Sequence, residues 1–244
     1  MTAFAKLYAI RCNWHHIMSM QQVITHRWDL TPSDAENLQI KLSKAVITHD
    51  RMGEIKTVAG VDIAYDKHSE RLVAAAVVLD AASLAVLDSA VAQDIERFSY
   101  IPGLFSFREL PPIATALQQL KIKPDLIVCD GQGIAHPRRF GLACHLGVLF
   151  DVPTIGCGKT RLIGKAETPG RQRGASAPLV DDGEIIGNVL RTQDGIKPVF
   201  VSIGNRVSLS TACEWILRLA TKYRLPETTR QADQMVRAVL HSPI

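Results

Sequence analysis

The sequence predicts an α/β protein, a mixed β-sheet flanked by helices, and three observations lead there. Three strand-like segments follow one another with only short polar turns between them, which requires an antiparallel meander. Beyond them, apolar strands alternate with helical stretches in the manner of β-α-β units. The 244 residues are 47% hydrophobic and 21% charged, the balance of a folded globular chain rather than a disordered one.

The elements follow in chain order. Residues 1–20 include Trp14, His15 and His16 without clear periodicity and read as an extension, with Met18 and Met20 as alternative starts. Thr31, Pro32 and Ser33 open a helix in which Ala35, Leu38, Leu42 and Ala45 recur at helical spacing to about residue 47. Strands are expected at about 57–65, 71–80 and 84–94. A Pro-containing loop, SYIPGL, precedes a helix of about 111–121, the strand LIVCDG, a helix of about 138–150 and the strand PTIGC. Strands near 184–191 and 198–203 and helices of about 208–223 and 227–240 complete the order. No repeat occurs, nor any linker long enough to separate independent cores, so a single domain is expected over 21–244.

Composition removes several classes of function. The longest uninterrupted apolar run, 72–79, has eight residues, whereas a bilayer-spanning helix needs about 20. The first residues lack a signal-peptide apolar stretch, which points to the cytoplasm. Cys12, Cys129, Cys144, Cys157 and Cys213 are odd in number and contain no C-x-x-C pair, so they read as buried thiols rather than a disulfide frame or zinc cage. A net charge of +4 with a pI near 8.8 is compatible with a polyanionic partner without deciding for one. No G-x-S-x-G or H-E-x-x-H occurs, which disfavours a serine or zinc hydrolase.

The carboxylates carry more. Alternation along the first strand places Val58, Gly60, Asp62 and Ala64 on one face, so Asp62 is flanked by very small neighbours. A bulge at Gly60 is an equally good reading. Asp130 ends the strand LIVCD and is followed by Gly131, Gln132 and Gly133, at the kind of strand end where open α/β sheets bind ligands. Two acids on neighbouring strands repel one another unless protonated or bridged by a hard cation such as Mg²⁺.

Ser106 and Glu109 match an S-x-x-E capping box, but Pro111 and Pro112 argue for a helix start near Pro111, leaving Glu109 free. Asp233 has Arg230 and Arg237 at helical spacing, so an ion network explains it. Gly158-Lys159-Thr160 resembles the end of a P-loop, but Pro153 stands where the first glycine is needed, so a P-loop ATPase fails. Lys159 is then either a surface lysine or a fixed charge for a phosphate. His136, Arg138 and Arg139 precede the expected helix and suggest phosphate binding at its N-terminus. Tyr100 reads as core packing or as a stacking platform for bases.

Taken together, GVDIAY, SYIPGLFSFRE, DGQGIAHPRRFGLACHLGVLFDVPTIGCGKTRL and YRLPETTRQAD resemble the endonuclease V family, the deoxyinosine 3′-endonucleases, over about residues 30–240. The resemblance implies an RNase H-like fold with a five-stranded core sheet and clustered carboxylates that bind Mg²⁺ or Mn²⁺. It implies Asp62 and Asp130 as primary metal ligands, Glu109 as a third acid at the metal, Asp233 near the metals and Lys159 at the phosphate or the attacking water. Tyr100 matches the wedge that replaces the displaced base, Gly103, Gly131, Gly141 and Leu142 match the hypoxanthine pocket, and His136 matches a substrate-binding position.

The implied reaction is hydrolysis of the second phosphodiester bond 3′ to deoxyinosine in single- or double-stranded DNA, leaving 3′-hydroxyl and 5′-phosphate ends. A monomer and no membrane partner are expected. An inosine-specific endoribonuclease and a non-catalytic nucleic-acid-binding module are the alternatives. Ser99 stands for the proline of PYIP, Gln132 for the histidine of DGHG and Gly158 for the alanine before the lysine. These departures are expected to loosen the wedge loop, to alter hydrogen bonding beside Asp130 and to hold Lys159 less firmly.

Overall fold

Local chemistry sets the first elements of the computed structural model, which describes residues 20–241. Thr31 accepts the Asp34 N–H and, with proline in the first turn, starts α1 (Pro32–Ser43). Strands β1 (Thr57–Tyr65), β2 (Arg71–Asp80) and β3 (Val86–Ile95) form the antiparallel meander, with Thr57 opposite Asp80 and Tyr65 opposite Leu72. The Asp80 carboxylate accepts from the N–H groups of Ala82 and Ser83 and closes the second turn. β1 pairs regularly through Gly60 and Asp62, so the bulge reading of Gly60 is corrected.

The chain then enters α2 (Phe105–Gln119), β4 (Leu126–Cys129), α3 (Leu142–Phe150) and β5 (Thr154–Gly158). β4 lies parallel to both β1 and β5. The antiparallel strands β6 (Ser176–Asp181), β7 (Glu184–Leu190) and β8 (Val199–Asn205) extend the sheet, whose order is β3-β2-β1-β4-β5-β8-β7-β6. Helices α4 (Leu209–Leu219) and α5 (Glu227–His241) close the described chain.

The period-two alternation of the strands divides the core. Ala59, Val61, Ala74, Ala76 and Ile127 pack under α2 and α3. Val58, Val77, Leu79 and Val128 pack with Ala212, Ile216 and Ala232 of α4 and α5. Met20, assigned to the extension, is 1% exposed and packs into the first of these cores; the rest of 1–20 lies outside the described residues. Cys129, Cys144 and Cys157 are buried free thiols and Cys213 is partly buried, while Cys12 lies outside. Among the described residues no helix is long and apolar enough to cross a membrane.

Three expectations are corrected. α2 begins at Phe105 and carries Pro111 and Pro112 in its interior, because Phe107, Leu110, Ile113 and Leu117 bury completely along it. Each interior proline costs about 3 kcal/mol, and each buried large apolar side chain returns about 1.5–3 kcal/mol. α3 begins at Leu142, not near Arg138. Strand β6, which alternation in SAPLVD barely signals, makes the sheet eight-stranded; its Pro178 is tolerated at the sheet edge.

One close contact joins the two layers that hold the candidate residues. A Cβ on Gly60 would lie 2.1 Å from the Thr228 carbonyl oxygen, so only glycine lets the first turn of α5 rest on β1. The small neighbour of Asp62 therefore accommodates helix backbone.

Candidate active site

Parallel pairing aligns Val61 with Cys129, and the residues that follow each are Asp62 and Asp130. Burial and the neighbouring Asp130 charge push the Asp62 carboxyl up to about 7. Glu109 reaches the same region from α2 and is 7% exposed. Burial pushes its carboxyl up to about 8, against a hydrogen bond donated by the Tyr65 hydroxyl at 2.8 Å, with the Asp62 and Asp130 charges adding to the rise. Lys159, just after the end of β5, forms an ion pair with Asp130. Burial opposes the ammonium charge, but Asp130, Asp62 and Asp233 together hold it above the usual lysine range.

A cavity of about 460 Å³ is lined by Asp62, Glu109, Asp130 and Lys159 and equally by Tyr100, Gly103, Gly131, His136, Gly141 and Leu142. Asp233 is not among its lining residues. Both Asp233 oxygens accept from Arg237 Nε at 2.9 Å, as the ion-network reading expects for that arginine, whereas Arg230 pairs with Glu227 instead. The Asp233 charge nevertheless reaches Asp62 and Lys159.

Tyr100 is 61% exposed and stands edge-on to Phe105 with ring centroids 5.0 Å apart, so it is not core packing. Gly103, at φ +83°, offers its carbonyl to Gln39 Nε2, His136 Nε2 and Arg138 Nη2 at 2.9–3.0 Å. His136 is buried, donates from Nε2 to that carbonyl and accepts the Arg138 N–H at Nδ1. Burial pulls it down to about 4, so it is neutral near pH 7. The expected cationic grip at a helix N-terminus is corrected: Arg138 pairs with Glu36 and Gln39, and Arg139 pairs with Asp181 and Glu184.

Sequence reasoning missed several groups here. Ser106, read only as a cap, lines the cavity and bonds through Oγ to His145 Nδ1 at 2.9 Å. The fully buried His145 continues through Nε2 to His26 Nε2 at 2.7 Å, and His26 Nδ1 donates to the Arg27 carbonyl. This chain joins residues 119 apart, and no local pattern signals it. Tyr65 lies in GVDIAY, but alternation puts it on the other face from Asp62 and gives no hint of its bond to Glu109.

The acids supply only oxygen donors, and the neighbouring carboxylate charges add to the raised proton affinity of Asp62 and Glu109, a chemistry that suits a hard divalent cation. Among the described residues no three histidine, cysteine or carboxylate side chains are drawn together into a ready chelating group, and Lys159 occupies the Asp130 carboxylate.

The family model for Endonuclease V matches residues 40–234. The Endonuclease V of Roseiflexus sp. (strain RS-1) is 50% identical over 216 residues, 88% of this chain and 96% of its own. The crystal structure of Endonuclease V from Streptomyces avermitilis is similar with a TM-score of 0.84 at 48% identity, covering 91% of this chain and 98% of that one. Ciona intestinalis Endonuclease V, in complex with a 24mer DNA containing an inosine followed by a ribo-adenosine, matches with a TM-score of 0.75 at 26% identity, covering 85% and 97% of the two chains. The eight-stranded mixed sheet with its helices is the RNase H-like fold of these structures. The chain belongs to the endonuclease V family and is a nuclease that hydrolyses phosphodiester bonds.

Proposed function

We propose that this nuclease recognises deoxyinosine in DNA and hydrolyses the second phosphodiester bond 3′ to it. The observation that carries this reading is the cavity that joins Asp62, Glu109, Asp130 and Lys159 to Tyr100, Gly103, Gly131, Gly141 and Leu142. The complex of the Ciona relative with inosine-containing DNA supports the substrate class.

In this reading the backbone of the glycine-lined wall meets the edge of a flipped base and excludes larger exocyclic groups, while Tyr100 fills the space the base leaves. His136 holds the Gly103 turn in place. Lys159 offers its ammonium to the phosphate, and Asp233 acts through its charge on Asp62 and Lys159. Asp62, Asp130 and Glu109 would hold Mg²⁺, with Mn²⁺ as a substitute, and the ion would supply positive charge for the developing oxyanion and acidify water. Water adds to phosphorus, the P–O3′ bond breaks, and the departing oxygen takes up a proton, leaving 3′-hydroxyl and 5′-phosphate ends. The same reading has a monomer acting in the cytoplasm through one domain over 21–244.

The test is cleavage of an end-labelled duplex with one deoxyinosine, beside an undamaged duplex and an inosine-containing RNA, with Mg²⁺ or with EDTA. The expected result is a Mg²⁺-dependent nick one nucleotide beyond deoxyinosine, lost in Asp62→Ala and Asp130→Ala with lesion binding largely kept. Cleavage of the RNA alone would favour the endoribonuclease, and specific binding without cleavage would favour a non-catalytic module.

A further inference from the structure

Gln132 and a side chain at position 158 would compete for one space. A Cβ on Gly158 would lie 2.2 Å from Gln132 Nε2, closer than real Cβ contacts come, and 3.0 Å from its Cδ. The same Gln132 Nε2 donates to the Thr160 carbonyl at 2.9 Å. Gly158 and Thr160 are the neighbours of Lys159, and all four residues line the cavity. Lys159 is thereby held from several sides. Its ammonium meets Asp130, its carbonyl accepts from Arg224 Nη2 at 2.7 Å, and the residue after it is tied to Gln132.

A lysine side chain is a point charge on a flexible four-carbon stem, so its aim depends on how firmly its backbone is fixed. The Gln132 amide has one usable orientation, since only its NH₂ can face the Thr160 carbonyl. Its Oε1 is left buried with no hydrogen-bond partner. Such an orphaned acceptor costs stability, and a tether to the Lys159 segment explains why the amide is held there nonetheless.

We infer that Gln132 is a positioning residue for Lys159, and that the absence of a side chain at Gly158 is what admits it. This rests on the reading of Lys159 as the group that meets the phosphate. It also reverses the expectation that Gly158 leaves Lys159 less fixed, because the space at Gly158 is filled by the tether.

The experiment is a set of linked variants read by steady-state cleavage and by thermal midpoint. Gln132→Ala is expected to lower kcat about tenfold with KM nearly unchanged, as misplacement of a catalytic group does. In a Lys159→Ala background it should have no further effect. Gly158→Ala should reproduce the Gln132→Ala loss and should lower the thermal midpoint more in the native background than beside Gln132→Ala, where the Thr160 carbonyl oxygen, 3.2 Å from the added Cβ, is the close neighbour that remains. Gln132→Met keeps bulk without the donor; it should lose kcat like the alanine variant yet still resist Gly158→Ala. An equal loss from Gln132→Ala with and without Lys159 would overturn the positioning role. An equal midpoint penalty for Gly158→Ala with and without Gln132 would overturn the shared space. Full activity in Lys159→Ala alone would instead remove the reading of Lys159, leaving the midpoints to judge the Gln132–Gly158 pair.

Discussion

The Tyr65 hydroxyl donates to Glu109 Oε1 at 2.8 Å and joins the end of β1 to the first half of α2. Arg108 lies over the Tyr65 ring at 4.7 Å and pairs with Glu96, so the phenol is fixed on its own side as well. Burial sets the high proton affinity of Glu109, and the Tyr65 bond works against it. Tyr65→Phe removes that opposition and raises the Glu109 carboxyl further. The variant is expected to cleave less than the native protein near neutral pH and to recover at alkaline pH. A pH–rate profile beside the native protein checks this; parallel profiles would show that the hydroxyl does not tune Glu109.

Stability of the metal-free protein should fall as pH rises. Asp62 at about 7 and Glu109 at about 8 lie above their ordinary values of 3.8 and 4.5, so the folded state retains protons that the unfolded chain releases. Their contribution is full below the ordinary values and is lost as pH climbs through the folded ones. The buried His136 and His145, held below 6.5, act in the opposite sense by losing stability in acid. The fall is therefore clearest from about pH 6.5 to about pH 8. Thermal midpoints in EDTA across that window should decline, flatten in Glu109→Gln and Asp62→Asn, and rise again on adding Mg²⁺ or Mn²⁺.

Gly60→Ala should loosen α5. The added methyl would sit 2.1 Å from the Thr228 carbonyl oxygen and 2.7 Å from the Thr229 nitrogen, both of them backbone atoms that cannot rotate away. Overpacking of this kind costs about 1–3 kcal/mol, visible as a lower midpoint in urea. Gly53→Ala is the control, because a Cβ there meets nothing within 4 Å. Cleavage should drop with Gly60→Ala and not with the control, since α5 carries Asp233.

Tyr100→Ala separates recognition from folding. The side chain is exposed and touches Phe105 edge-on, so the thermal midpoint should barely move. Loss of a stacking partner for a base is worth about 1–3 kcal/mol, so binding to deoxyinosine DNA should weaken at least about fivefold. Equal affinity in a gel-shift titration would remove Tyr100 from the wedge role.

The sequence made the meander legible because alternation and turn chemistry are local. The bounds expected for β1 and β2 coincide with those observed, and β3 starts only two residues later than expected. Parallel pairing of β1 with β4, across the intervening β2, β3 and α2, brings Asp62 beside Asp130, a consequence of topology rather than of any motif. The α2 start was not legible, since tertiary burial of Phe107 and Leu110 outweighs the proline penalty that sequence reasoning weighs first. The fates of Arg138 and Arg139 were hidden for a related reason. Their acidic partners Glu36, Asp181 and Glu184 are distant in sequence, and nothing near the arginines announces them.

The line from Arg27 to Ser106 has a direction. A backbone carbonyl can only accept, so His26 carries its hydrogen on Nδ1 and presents a bare Nε2 to His145. His145 then holds hydrogen on Nε2, leaving Nδ1 to receive the hydroxyl hydrogen of Ser106. Each link commits the next, and a peptide oxygen near the N-terminal end of the fold dictates which way a serine in the cavity wall is polarised. Ser106 thus has its one polar hydrogen spent on a buried ring, and what remains on its oxygen is electron density alone.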